Sequence, residues 1–210
     1  MLLRGLRETL YMTVLSTALA YIIGLPLGIL LVVTGRDGIR PARVLHGFVG
    51  LIINLARSIP FLILLIAVLP VTRFIVGTTI GSTATVVPLV LGAAPFIARL
   101  VESSLNEVDR GAVEAGRAMG ASSMQIILKV LLPEAKPSLL LGAAIALTTI
   151  LGYSAMAGIV GGGGLGDIAI RYGYYRYQKD TMLITVAILV VVVQVFQEAG
   201  AKIAKVIDKR

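Results

Sequence analysis

Cysteine and tryptophan are absent from the 210 residues, histidine occurs once, at His46, and only 14% of the chain is charged. Without cysteine no disulfide or thiolate metal site can form, and one imidazole cannot hold a metal alone. The scarcity of histidine and of paired acids also removes the common means of acid–base or nucleophilic catalysis. What the chain has instead is apolar residues: 57% of it is hydrophobic, with a mean hydropathy of +0.94. Its few charges gather between long apolar runs, the pattern of an integral membrane protein. The runs are continuous, without the alternation of barrel strands, so the expected class is all-α.

A bilayer core of about 30 Å needs about 20 helical residues. Five segments meet that length: about Leu10–Thr34, Leu45–Leu69, Ile80–Leu100, Leu139–Val160 and Met182–Ala204. Pro26, Pro60, Pro88 and Pro95 fall inside them and are expected to kink the helices. The apolar stretch at the N-terminus runs on through "YIIGLPLGILLVV", beyond the length of a signal peptide core, so it reads as a retained span.

Five spans put the termini on opposite sides. One side carries Arg36, Arg40, Arg43, Arg99, Arg110, Arg117, Lys129, Lys136, Lys202, Lys205, Lys209 and Arg210; the other carries Arg4, Arg7, Arg73, Arg171, Arg176 and Lys179. Twelve against six places the C-terminus in the cytoplasm and the N-terminus outside. The net charge of +8 is then a property of cytoplasmic loops in a bilayer protein, and no nucleic-acid partner is expected. No internal repeat is evident, so a two-fold pathway would need two copies of the chain.

Between the third and fourth spans the apolar pattern stops for "VEAGRAMGASSMQIILKVLLPEA", Val113 to Ala135. Asp109 suits the N-cap of a helix running to Met119, and Gly120 suits its left-handed stop. Ser122 or Ser123 can cap a second helix, in which Met124, Ile127, Leu128 and Leu131 make one apolar stripe. Pro133 marks its approximate end. The expectation is a compact cytoplasmic knob spanning about residues 107–135.

This segment resembles the EAA loop of the ABC importer permeases, of the form E-A-A-x3-G-x9-I-x-L-P. Glu114, Ala115, Gly116 and Gly120, then Val130, Leu132 and Pro133, keep that spacing, with Gly116 for the third small residue and Val130 for isoleucine. The resemblance continues through "RSIPFLILL" from Arg57, "APFIARLVE" from Ala94 and "GYSAMAGIVGGGGLG" from Gly152, and is greatest to the permease subunits of bacterial methionine importers. It implies the type I ABC importer permease fold, five transmembrane helices with a coupling loop between spans 3 and 4. It also implies a homodimer joined to two cytoplasmic ATPase subunits and an extracytoplasmic binding protein in the bacterial inner membrane. Glu114, Ala115, Gly116, Gly120, Ala121, Leu132 and Pro133 would then form the ATPase-coupling surface. By the residues alone, Glu114 could instead support its own helix through Arg117 at i+3.

No cofactor is expected in this chain. No G-x-x-x-x-G-K-[ST] occurs, and "GGGGLG" at Gly161–Gly166 follows a span rather than a strand. ATP and Mg would be bound by the partner ATPase, and this subunit would not be an enzyme.

For the pathway, the fourth span carries Gly142, Ala143, Ala146, Gly152, Ser154 and Ala155, small residues suited to a seam between two copies. Tyr153 and Met156 are its larger members, and the resemblance suggests that Met156 helps close the pathway near its outer end. Ordinary helix packing is the alternative for Met156. Arg57 lies midway in the second span, where an unpaired charge costs several kcal/mol. It could meet a substrate carboxylate, snorkel to the cytoplasmic surface, or pair with Asn54 or backbone carbonyls. Arg171, Tyr172, Tyr174, Tyr175, Arg176 and Tyr177 read as an interfacial belt with possible reach to a binding protein. The functional expectation is half of an ATP-driven import pathway, for methionine or for another amino acid or small solute. A stand-alone secondary carrier is the rival, and it would need a mid-membrane acid that the spans do not offer.

Overall fold

A computed structural model describes residues 1–207. Lys209 and Arg210, counted above for orientation, and the end of the tail "KIAKVIDKR" lie outside the described residues. The described part is helices joined by short connections: α1 (Leu2–Thr34), α2 (Arg43–Ser58), α3 (Phe61–Ala67), α4 (Leu69–Val76), α5 (Ser82–Asn106), α6 (Arg110–Ala118), α7 (Ser123–Ile126), α8 (Leu132–Glu134), α9 (Lys136–Met156), α10 (Gly164–Ile168) and α11 (Lys179–Ile207). Four helical stretches are long and apolar enough to cross a bilayer: Leu2–Thr34, Ser82–Asn106, Lys136–Val160 and Lys179–Val206. The bent pair α2 and α3 is a fifth if it counts as one span.

α5 is the central span, with 61% of its most apolar window buried, whereas α11 is peripheral at 6%. α1 buries a series of small and hydroxyl residues, Thr9, Thr13, Ser16, Thr17, Ala20, Gly24 and Gly28, and packs along α5 where Gly24 meets Ala94 and Ile97 and Gly28 meets Ala98 and Val101. Small side chains let the two backbones approach, which is how helices associate when lipid supplies no hydrophobic drive between them. Met12, Leu89, Ile97 and Ile150 close the shared core.

The second span departs from expectation. Pro60 does not kink one helix; it separates α2 from α3, which stand 98° apart. Proline lacks the N–H that would continue the ladder and disfavours helical geometry at the residue before it. Ile59 accordingly sits at φ −80°, ψ 122°, and the amides of Ile63 and Leu64 turn to the carbonyl of Pro60. Pro26, Pro88 and Pro95, by contrast, stay inside continuous helices.

The glycine cluster after α9 folds back onto that helix. A Cβ on Gly158 would run into the backbone of Gly166, and one on Gly166 into that of Ala155. The turn is pinned to the start of α1: the Gly164 amide donates to Glu8 Oε2 (2.9 Å) and the Leu165 amide to Thr9 Oγ1 (2.8 Å).

Candidate coupling knob and pathway pocket

The interruption is built by local hydrogen-bond chemistry. The Gly111 amide donates to Asp109 Oδ1 at 2.8 Å and starts α6. At its other end Gly120 takes φ +78°, the Gly120 amide bonds the Arg117 carbonyl and the Ala121 amide bonds the Gly116 carbonyl. These are the two bonds of a Schellman stop. Ser122 then caps α7, with the Gln125 side chain returning a bond to the Ser122 amide (2.8 Å) in a capping box.

The second helix does not continue as expected. Ile127–Leu131 is a π-helical turn, and Pro133 lies in the first turn of α8 instead of ending a helix. The wider turn suits a proline that cannot donate and whose ring would clash with the carbonyl four residues back. It also rotates the apolar face. Ile126 (1% exposed) and Leu131 are the buried anchors, while Met124 (62%) and Leu128 (56%) face outward, so the predicted stripe of Met124, Ile127, Leu128 and Leu131 is not one buried face.

Of the expected coupling residues, Glu114, Ala115, Gly120 and Pro133 are exposed, Ala121 and Leu132 half-buried, and Gly116 buried against the second helix. Met119, 82% exposed, lies beside Gly120. Glu114 makes no ion pair among the described residues. Arg117, the alternative partner for it, instead donates from Nη2 to the Gly38 carbonyl at 3.1 Å. Arg110 reaches the same loop, pairing with Asp37 Oδ2 at 3.2 Å. The knob is therefore braced on the α1–α2 connection by two arginines. That contact spans more than seventy positions, and no spacing rule would have found it.

Two arginines near the second span have opposite surroundings. Arg99 on α5 is held through its two terminal nitrogens, by Glu102 Oε2 at 2.6 Å, Asn54 Oδ1 at 2.7 Å and the Gly50 carbonyl at 3.3 Å, while its Nε is buried without a partner. Asn54 is thus committed to Arg99 and does not pair with Arg57. Arg57 closes the last turn of α2 and lines a pocket of about 130 Å³ with Ile59, Phe61, Leu64, Phe96 and Tyr153. Tyr153 stacks flat on Phe61, centroids 4.3 Å apart and planes 3° from parallel. Arg57 and Tyr153 are brought together; Met156 is elsewhere, 47% exposed on α9 in line with Leu141, Ile145 and Gly152. Gly142, Ala146 and Ser154 are buried inside the chain, so half of the expected small-residue seam is internal packing against its own helices, while Gly152 is exposed and Ala143 and Ala155 are half-buried. In the outer loop Arg176 lies over the Tyr172 ring at 4.8 Å, while Tyr174, Tyr175 and Tyr177 are exposed.

Residues 24–203 match the family described as binding-protein-dependent transport system inner membrane component. The chain belongs to this family. As such a component it is a multi-pass membrane subunit of a transport system. It is 50% identical over 210 residues to the probable D-methionine transport system permease protein MetI of Vibrio cholerae, covering all of this chain and 93% of that protein. To the D-methionine transport system permease protein MetI of Escherichia coli K12 it is 54% identical over 158 residues, 75% of this chain and 73% of that one. A solved chain of the MetNI methionine ABC transporter, in inward facing conformations, superposes with a TM-score of 0.98 at 50% identity, covering 99% of this chain and 96% of the other. An amino acid ABC transporter solved with histidines shares the fold, with a TM-score of 0.79 at 20% identity over 97% and 92% of the two chains.

Proposed function

We propose that this inner membrane component is the permease subunit of an ATP-driven methionine importer, two copies forming the translocation pathway. Two ATPase subunits in the cytoplasm bind ATP and Mg, and an extracytoplasmic binding protein delivers the amino acid. The N-terminus lies outside and the C-terminus in the cytoplasm, which puts the knob on the ATPase side. The observation that carries the reading is the knob itself: a polar module with its own caps, braced on the α1–α2 loop, that presents Glu114, Met119, Gly120 and Met124 outward. The relatives named for methionine transport support the cargo.

In this reading the partner's power stroke enters through Glu114 and the surface around Gly120, and passes through the two arginine braces to α1 and α2. Rocking of the spans would then switch access between the two sides, with Met156 closing the outer end of the seam. An unbranched thioether can reshape as helices move, which suits an apolar plug. The test is reconstitution in vesicles. Methionine uptake against a gradient should require ATP, the ATPase subunit and the binding protein together. Uphill uptake by this chain alone would sink the proposal.

A further inference from the structure

Arg57 poses a problem that the coupling mechanism does not solve. It closes the last turn of α2, 14 residues beyond the start of that helix, and its side chain is exposed at the break before α3. A cation within a bilayer segment is stable only where it is paired or faces water or the protein interior. No acid or amide side chain lines its pocket, and Asn54, three positions back on α2, accepts from Arg99. Among the described residues Arg57 has no hydrogen-bond, ion-pair or ring partner. Its pocket mates are aromatic and apolar, Phe61, Leu64, Phe96 and Tyr153, and Gly92 keeps the floor open, since a Cβ there would stand 3.2 Å from Phe61 and 3.3 Å from Leu64.

We infer that the break between α2 and α3 is a binding station for an apolar α-amino acid, its carboxylate on Arg57 and its side chain against the Phe61–Tyr153 stack and Phe96. A guanidinium takes a carboxylate through two parallel N–H bonds, and aromatic walls favour a thioether or aliphatic chain. Pro60 is what makes the station. Had the helix continued, Arg57 would have remained on its flank, with no facing wall from α3. The inference rests on the import reading for the class of its ligand. A helix C-terminus also favours a cation, but it would be served equally well by lysine.

The chain has no cysteine, so a single Leu64→Cys gives a clean reporter in the assembled transporter. Alkylation of that thiol is followed without ATP or binding protein, with methionine or with methionine amide as competitor. Methionine should slow the reaction at least about fivefold and the amide, which lacks the carboxylate, should not. Arg57→Gln should abolish the protection and Arg57→Lys should restore only part of it, as the bidentate geometry is lost. Gly92→Ala keeps the charge and crowds the floor; it should weaken protection by methionine more than protection by glycine, and it serves where Arg57→Gln fails to assemble. Equal protection by the amide, or lysine equal to arginine, overturns the station. Uptake by the same preparations is scored separately. Uptake without carboxylate-dependent protection removes the station and leaves the import reading standing, whereas no ATP-driven uptake in the parent protein removes the import reading.

Discussion

Arg117 Nη2 and the Gly38 carbonyl lie 3.1 Å apart although 79 positions separate them in the chain. With Arg110 on Asp37, this bond makes the α1–α2 loop the seat of the knob. The Arg110–Asp37 pair is well exposed and contributes at most about 1 kcal/mol, and the Arg117 bond about the same. Each therefore biases the seating of the knob without holding the fold. Replacing both arginines by alanine should leave the complex assembled and lower ATP-driven methionine uptake roughly five- to thirtyfold, the effect of about 1–2 kcal/mol on a two-state seating. Charge exchange, Arg110→Asp with Asp37→Arg, should recover part of that loss in the same uptake assay. If the double alanine variant transports normally, the brace plays no part in coupling.

Gly120 stands at φ +78° with nothing within 4 Å of where a Cβ would lie. Any penalty for substitution there is thus backbone strain and not collision. Valine should cost about 1–3 kcal/mol locally and asparagine much less, because Asn tolerates the left-handed region. In the assembled transporter Gly120→Val should leave ATP hydrolysis running while uptake falls, and Gly120→Asn should remain near the parent in both. Equal behaviour of the two would show that the conformation of the stop does not matter.

Gly116 departs from the small side chain expected in the EAA pattern, and the structure shows room for it. A Cβ there would meet Ile126 at 3.6 Å and Val130 at 3.8 Å, ordinary packing distances. Alanine also loses less backbone entropy in a helix than glycine. Gly116→Ala should stabilise the knob by about 0.5–1 kcal/mol. Slower proteolytic cleavage within residues 107–122, with uptake intact, is the expected outcome, and faster cleavage would contradict it.

What could be read in advance follows from how far each interaction reaches along the chain. Asp109 and Gly120 act over two to five residues, so their caps were visible as residue types in order, while the choice between Ser122 and Ser123 was settled only by the return bond from Gln125. The long apolar runs likewise announced an all-α membrane fold. Pro60 shows the limit. It is the same residue as Pro88, yet one ends a helix and the other rides inside one, because packing around α5 holds the second in place and nothing in the local sequence records this. The π-helical turn at Ile127–Leu131 was hidden for a related reason: it changes the helical period, so a four-residue spacing did not pair Ile126 with Leu131, five positions on, as the buried anchors. Arg99 capturing Asn54 across 45 positions, and Arg117 leaving Glu114 for Gly38, belong to tertiary structure alone.

The seam between copies gives a sharper test of α9. Small residues first suggested Gly142, Ala146 and Ser154 for this role, but these are covered by the chain's own helices. The face left open runs through Leu141, Ile145, Gly152 and Met156, at steps of four, seven and four residues, the spacing of one side of a helix. If two copies meet along α9, cysteine at position 152 or 156 should form an intermolecular disulfide under mild oxidation, since both lie on the open face and the chain offers no competing thiol. Ala146→Cys, fully buried, should not cross-link. Adding methionine and ATP to the full transporter should change the cross-linking rate at 156, where the gate is proposed to move, more than at 152. Met156→Ala should raise basal leak or ATPase activity for the same reason, because it removes the bulk that closes the seam. Cross-linking at 146 in preference to 152 and 156 would mean that the copies approach along another face, and Met156 would then be ordinary surface rather than a plug.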